Sequence, residues 1–191
     1  MITELKKCQD ANTQKGNVGY LMAISTKHFD IVQQGGNKVV DDDGTVSSVW
    51  VPWYFLHKML AGLYDTYIYC PDKQIKATAK TMMIDLADWT YNRMNSYSQE
   101  MLNTVLSNEF GGMAEILYQI YGVTRNANYK NTADLFQGGT ILKNVNNNVE
   151  CLKGLHANTT IPKFLGAAAY YEQTGDEYYL NICKNLKNIH A

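Results

Sequence analysis

Apolar residues recur along the chain with helical spacing, and the pattern itself repeats. From Trp53 to Tyr69 the chain carries Phe55, Leu56, Met59, Leu60, Leu63, Tyr64, Tyr67 and Ile68. A stretch apolar nearly all round predicts a helix buried on every side. From Lys73 to Met94 the pattern changes. Ile75, Ala79, Met82, Leu86 and Trp89 share one face, while Lys76, Lys80, Asp85, Asp88 and Asn92 take the other. That is the signature of an outer, half-exposed helix. Tyr67, Tyr121 and Tyr171 lead corresponding segments 54 and 50 residues apart. Eight residues after each come Ile75, Tyr129 and Tyr179, and twelve after come Ala79, Ala133 and Cys183. The repeating unit is an apolar helix, a short turn and an amphipathic helix.

Buried helices wrapped by amphipathic ones predict an all-α fold of the α/α toroid kind. At about 50 residues per hairpin, three hairpins and an N-terminal helix make about half of a six-hairpin ring. The expectation is a single partial α/α-barrel domain over 1–191, an incomplete (α/α)6 barrel. Within it, 1–49 supply an N-terminal helix and an irregular loop, and 50–191 supply the hairpin repeats. In the N-terminal helix Ile2, Leu5 and Cys8 form the apolar stripe, and Asn12 to Asn17 end it. Gly35-Gly36-Asn37 and Asp41-Asp42-Asp43-Gly44 are loop signals; the second lacks the ligand spacing and closing Glu of a calcium loop. A half-ring leaves apolar flanks of its inner helices open at both edges, an arrangement monomers avoid. It therefore predicts self-association, or a missing C-terminal half.

The helix starts are where candidate chemistry gathers. Pro52 and Pro162 are expected at first-turn positions, the latter after Thr159 and Thr160 as N-caps. Gly111-Gly112 precedes the middle inner helix. His57, Glu109 and His156 lie ten, twelve and fifteen residues before the repeat tyrosines. Parallel inner helices would bring them to one mouth, with Trp50, Trp53, Tyr54 and Asn158. Aromatic faces stack on sugar C–H surfaces while His, Glu and Asn hydrogen-bond hydroxyls, so the set suits a neutral polyol. The competing reading is that each group caps a helix or satisfies a buried amide. His28 and His190 lack such company and read as surface residues.

Composition narrows the classes. The 191 residues are 46% apolar and 18% charged, with a net charge of −1. This is a core-forming chain with no basic balance for nucleic acid or an anionic membrane. No apolar run is long enough to span a bilayer, and the start lacks a signal-peptide pattern, which leaves the localisation open. Cys8, Cys70, Cys151 and Cys183 lie far apart without a Cys-x-x-Cys pair; all four are expected reduced, with two or more simply packed, rather than forming a zinc site. Gly111-Gly112 follows no strand and matches no phosphate-binding loop. No nucleophilic triad has a local signature.

Four segments resemble the β-L-arabinofuranosidase-like glycoside hydrolases. They are Gly19-Tyr20-Leu21, the run Trp50 to Leu63 (WVPWYFLHKMLAGL), Asn108 to Glu115 (NEFGGMAE) and Gly154 to Lys163 (GLHANTTIPK). The order and gaps are similar from Gly19 to the end, although Ile24-Ser25 stands where the family pattern has Phe-Pro. The resemblance implies an (α/α)6 barrel and a retaining hydrolase that removes β-linked L-arabinofuranose from plant glycans. It further implies a zinc-bound cysteine thiolate as nucleophile and a glutamate as acid/base. Those groups follow the His-Ala-Asn-Thr motif on later hairpins, and none of the four cysteines here has a matching context. What carries over is the sugar pocket: His57 and His156 as hydroxyl-binding histidines, with Glu109. Trp50 and Asn158 join them as substrate-binding candidates from the mouth constellation. No catalytic residue, metal or cofactor is expected in this chain itself; zinc belongs to the full-length family enzyme, and the isolated chain is expected to be inactive.

Two alternatives belong to other classes. One is a non-catalytic helical-repeat module that binds a glycan or a protein on its concave face. The other is a different toroid enzyme, an epimerase or lyase, which usually carries several ring arginines; here there are only Arg93 and Arg125.

Overall fold

The computed structural model describes residues 1–189. His190, expected at the surface, lies outside the described residues. The fold is all-α: ten helices and one small β-hairpin among the described residues. The chain divides into two compact units, Met1–Phe110 and the part from Gly111 onward.

The first unit holds α1 (Ile2–Gln14), α2 (Lys27–Gln33), the hairpin β1 (Lys38–Val40) and β2 (Val46–Ser48), then α3 (Pro52–Tyr69), α4 (Lys73–Asn95) and α5 (Gln99–Leu106). Pro52 opens α3 at a first-turn position, where the missing N–H leaves no bond unmade. The antiparallel α3–α4 pair is the first predicted hairpin. Its core contains Trp53, Leu56, Leu60 and Leu63 from α3 with Met82, Met83 and Leu86 from α4. Phe29 of α2 meets Trp53 edge-on, with ring centroids 4.8 Å apart.

The second unit holds α6 (Met113–Thr124), α7 (Ala127–Leu135), α8 (Gly139–Asn146), α9 (Ala157–Thr174) and α10 (Glu177–Leu186). Helix α6 packs on α9 and on α7, and α10 packs on α9. At α6–α9 the backbones approach closely: a Cβ on Gly166 would lie 3.0 Å from the Ala114 Cβ. Further along, Tyr118 meets Tyr170 edge-on at 5.1 Å, and Gly122 lies against the Gln173 side chain. The three contacts advance together along both helices, so α6 and α9 run parallel.

The repeat is written into the caps as well. Asp72, Asn126 and Asp176 each lie five residues after a repeat tyrosine. Each accepts from backbone N–H groups of the second helix of its hairpin: α4, α7 and α10. These side chains satisfy donors that have no partner within the helix.

Several expectations need correction. Helix α9 starts at Ala157 with His156 as its N-cap, so Pro162 lies inside it rather than at its first turn. The amides of Thr159 and Thr160 both reach the His156 carbonyl at 3.1 Å, which starts the helix one turn before the proline. Pro162 then costs one backbone bond, to the Asn158 carbonyl. In α1, Cys8 is exposed and Gln9 is buried instead. Gln9 Nε2 donates to the carbonyls of Gly19 at 2.9 Å and Met82 at 3.0 Å, tying α1 to α4. His28 is buried, not on the surface, with Nε2 3.3 Å from Asp41 Oδ1. The short helices α5 and α8 interrupt the simple hairpin pattern. Finally, α3 and α9 are not buried on every side: Phe55, Ile161 and Leu165 are each about half exposed.

Candidate functional site

In the first unit, three candidates come from the α3 start and the loop after α5. Trp50 precedes α3 and is 71% exposed. Its carbonyl accepts from Asn108 Nδ2 at 2.6 Å. Asn108 Oδ1 in turn accepts from the Glu109 amide at 2.8 Å. Asn108 thus fastens the Trp50 backbone to that of half-buried Glu109, although they are far apart in sequence. Sequence reasoning missed this role; the signal was an amide side chain beside the candidate carboxylate.

His57 lies one and a half turns inside α3 and is buried. Its ring meets Tyr54 edge-on, with centroids 5.1 Å apart. Burial, reinforced by the neighbouring Lys58 charge and opposed by the nearby Tyr54 backbone, holds its pKa down to about 4. The imidazole is therefore neutral near pH 7. Its Nδ1 is buried and has no hydrogen-bond partner among the described residues. A buried polar atom without a partner calls for one. A sugar hydroxyl can supply it, since a hydroxyl both donates and accepts.

In the second unit, His156 and Asn158 are exposed at the start of α9, as its N-cap and second helical residue. Gly154, in the left-handed region at φ 78°, turns the chain into that helix. The structure brings Trp50 and Glu109 together through Asn108 and places His156 beside Asn158.

A polar cleft of about 460 Å³ opens elsewhere in the first unit, lined by Asp85, Asp88, Trp89, Asn92, Arg93 and others. The sequence assigns Asp85, Asp88 and Asn92 to the polar face of a half-exposed helix, and all three line this open cleft. The Arg93 guanidinium is paired with Asp30 and donates to Tyr97 Oη at 2.8 Å and Gln33 at 3.3 Å. It lies against the rings of Phe29, Trp89 and Tyr97. Burial pushes the Asp85 carboxyl up from its usual range. Arg93 is engaged on all these sides, and its role is to tie α4 to α2.

The residues present do not fit a zinc centre. Structural and catalytic zinc sites need three or four protein donors. Among the described residues no group of three His, Cys, Asp or Glu side chains could hold a metal ion. All four cysteines are free. Cys151 and Cys183 pack against the core of the second unit beside Phe164 and Ile182. Burial pushes both thiols up, away from thiolate.

Repeated helical hairpins make the chain an all-α domain of the helical-toroid kind. Comparison with known families narrows this: the β-L-arabinofuranosidase, GH127 catalytic domain, matches residues 1–190, and the chain belongs to that family. Its members act on carbohydrate. A search of curated proteins finds no match. No described helix is long and apolar enough to cross a membrane.

Proposed function

We propose that this chain supplies sugar-binding residues of a β-L-arabinofuranosidase that acts on L-arabinofuranose-containing glycans. These are His57, Glu109 and Trp50 in the first unit and His156 and Asn158 in the second, and the zinc-thiolate centre and acid/base come from polypeptide other than these 191 residues. The observation that carries this reading is the buried, neutral His57 imidazole, whose Nδ1 has no hydrogen-bond partner among the described residues. Trp50 adds an exposed indole face on which a furanose ring stacks. The start of α9 adds the exposed side chains of His156 and Asn158, which can hydrogen-bond hydroxyls. Among the described residues no group of three His, Cys, Asp or Glu side chains could hold the zinc, which supports placing the thiolate nucleophile elsewhere.

Calorimetry with a β-L-arabinofuranosyl oligosaccharide tests the binding role. Binding weakened about tenfold by His156→Ala, the loss of roughly one hydrogen bond to a ligand, supports it. Titration heats equal to buffer dilution leave a protein-binding scaffold instead. Turnover of an aryl β-L-arabinofuranoside by the purified chain, abolished in His57→Ala, would overturn the assignment of catalysis to other polypeptide.

A further inference from the structure

The polar cleft beside Arg93 is walled by three elements of the first unit. Its volume of about 460 Å³ lies within the range of small-molecule sites, about 300–1,000 Å³. Helix α4 lines it from Asp85 to Tyr97. The segment after α1 closes against one end, where Gly19 lies so near α4 that a Cβ would overlap the Asp85 carbonyl. Toward the other end Arg93 is paired with Asp30 of α2. The stretch of α4 from Asp85 to Arg93 rises by about 12 Å, room for two sugar rings end to end.

Donors and acceptors without protein partners line this cleft together. Among the described residues the half-buried Asp85 carboxylate makes no hydrogen bond and no ion pair. Such burial without a partner is unfavourable, so a ligand donor there is worth more than at an open surface. The Trp89 indole N–H likewise makes no hydrogen bond among the described residues, yet it is not sealed from solvent. Tyr20 and Phe29 hold the indole with ring centroids 4.8 and 5.1 Å away, which fixes the direction of that N–H. Gln33 accepts from Arg93 through Oε1, and its amide NH2 is left as a donor. Asn92, exposed one turn after Trp89, offers both a donor and an acceptor. An anion would meet the carboxylates of Asp30, Asp85 and Asp88 here, against one guanidinium that Asp30 already pairs. Among the described residues no group could hold a metal ion. An ammonium ion uses the acceptors but leaves the indole and amide N–H groups unmatched. A sugar diol matches both, because each hydroxyl donates and accepts.

We propose that this cleft is a further carbohydrate-binding site, which takes a neutral disaccharide segment. Hydroxyls of the sugar donate to the Asp85 carboxylate and accept from the Trp89 indole and the Gln33 and Asn92 amides. The cleft shares no residue with His57, Glu109, Trp50, His156 and Asn158, so the proposal is independent of the roles given to them.

Nuclear magnetic resonance of the whole chain tests it, through the indole N–H signals of Trp50, Trp53 and Trp89, with Trp89→Phe assigning the third. The probes are cellobiose and an L-arabinofuranosyl disaccharide. The expected result is a saturable movement of the Trp89 signal with at least one of them, with a Kd on the order of 1 mM. Asp85→Ala and Asn92→Ala each remove a side chain without a protein hydrogen bond and favour helix, so the melting temperature holds. Each should weaken the Trp89 titration about fivefold or more, the loss of one hydrogen bond to the ligand. A Trp89 signal unmoved by both sugars up to about 50 mM overturns the proposal. So does movement of Trp50 alone, which would leave the Trp50 role standing. Unchanged affinity in both variants overturns it as well. Movement of Trp89 by ethanolammonium chloride and by neither sugar would assign the cleft to an organic cation instead.

Discussion

Gly166 and Ala114 set the distance between α9 and α6: a Cβ on the glycine would stand 3.0 Å from that of the alanine. The parallel pair is held at this crossing and again at Tyr118 and Tyr170. Gly166→Val forces branched carbons into a crossing already full at one methyl. The expected cost is about 2–3 kcal/mol, the usual range for overpacking. Urea unfolding followed by circular dichroism measures it. Gly62→Ala, at the same repeat position but in open space, should instead be neutral or stabilising by about 0.5–1 kcal/mol. Equal losses in both would mean that Gly62 does not face open space.

His57 makes stability pH-dependent. Its folded-state pKa is about 4, below the ordinary 6.5. A depressed pKa means the unfolded chain binds the proton more readily. The contribution is therefore complete above about pH 6.5 and is lost as pH falls toward 4. The full effect is at most about 3 kcal/mol. His57→Phe should flatten the stability profile over that window. A slope unchanged in the variant would mean other groups carry it.

Arg93 holds α4 to α2 through Asp30, Gln33 and Tyr97 while lying against three aromatic rings. Arg93→Met keeps the aliphatic contact and removes the charge-assisted bonds. The expected loss is about 2 kcal/mol, within the range for hydrogen bonds to charged groups. A double-mutant cycle with Asp30→Asn should show coupling of about 1 kcal/mol. Additive losses would reduce the pair to a surface contact.

Arg125 ends α6 in the left-handed region, at φ 56°, where the corresponding residue after α9 is Gly175 at φ 72°. A side chain is strained there and a glycine is not. Arg125→Gly should stabilise the chain by about 0.5–1 kcal/mol despite losing the guanidinium over the Tyr121 ring, 5.7 Å away. By contrast, Asp176→Ala removes the cap of α10 and should cost about 1 kcal/mol. Thermal melts that move both variants the same way would contradict the cap assignment.

Local pattern was enough for the hairpins. Periodicity along α3 and α4 and the recurrence of Tyr67, Tyr121 and Tyr171 fixed the helices, because helical spacing and turn chemistry act within a few residues. It was less reliable at starts. Thr159 and Thr160 look like N-caps beside Pro162, yet His156 takes that place because its carbonyl collects both amides. The motifs around Trp50, Glu109 and His156 were sufficient to name the family, and the match over residues 1–190 agrees.

Burial was decided only by the tertiary structure. His28 is a single histidine that nothing local separates from an exposed residue, and the apolar run around His57 does not say which way its ring faces. They are buried because the β-hairpin brings Asp41 to His28, and because α3 turns His57 away from solvent beside Tyr54. Gly62 and Gly166 are the same letter at the same repeat position; one is against Ala114 and the other faces an open groove. A sequence determines which helices form and which faces are apolar. Whether such a face is covered depends on which neighbour arrives there, and that is set by packing between residues far apart in the chain.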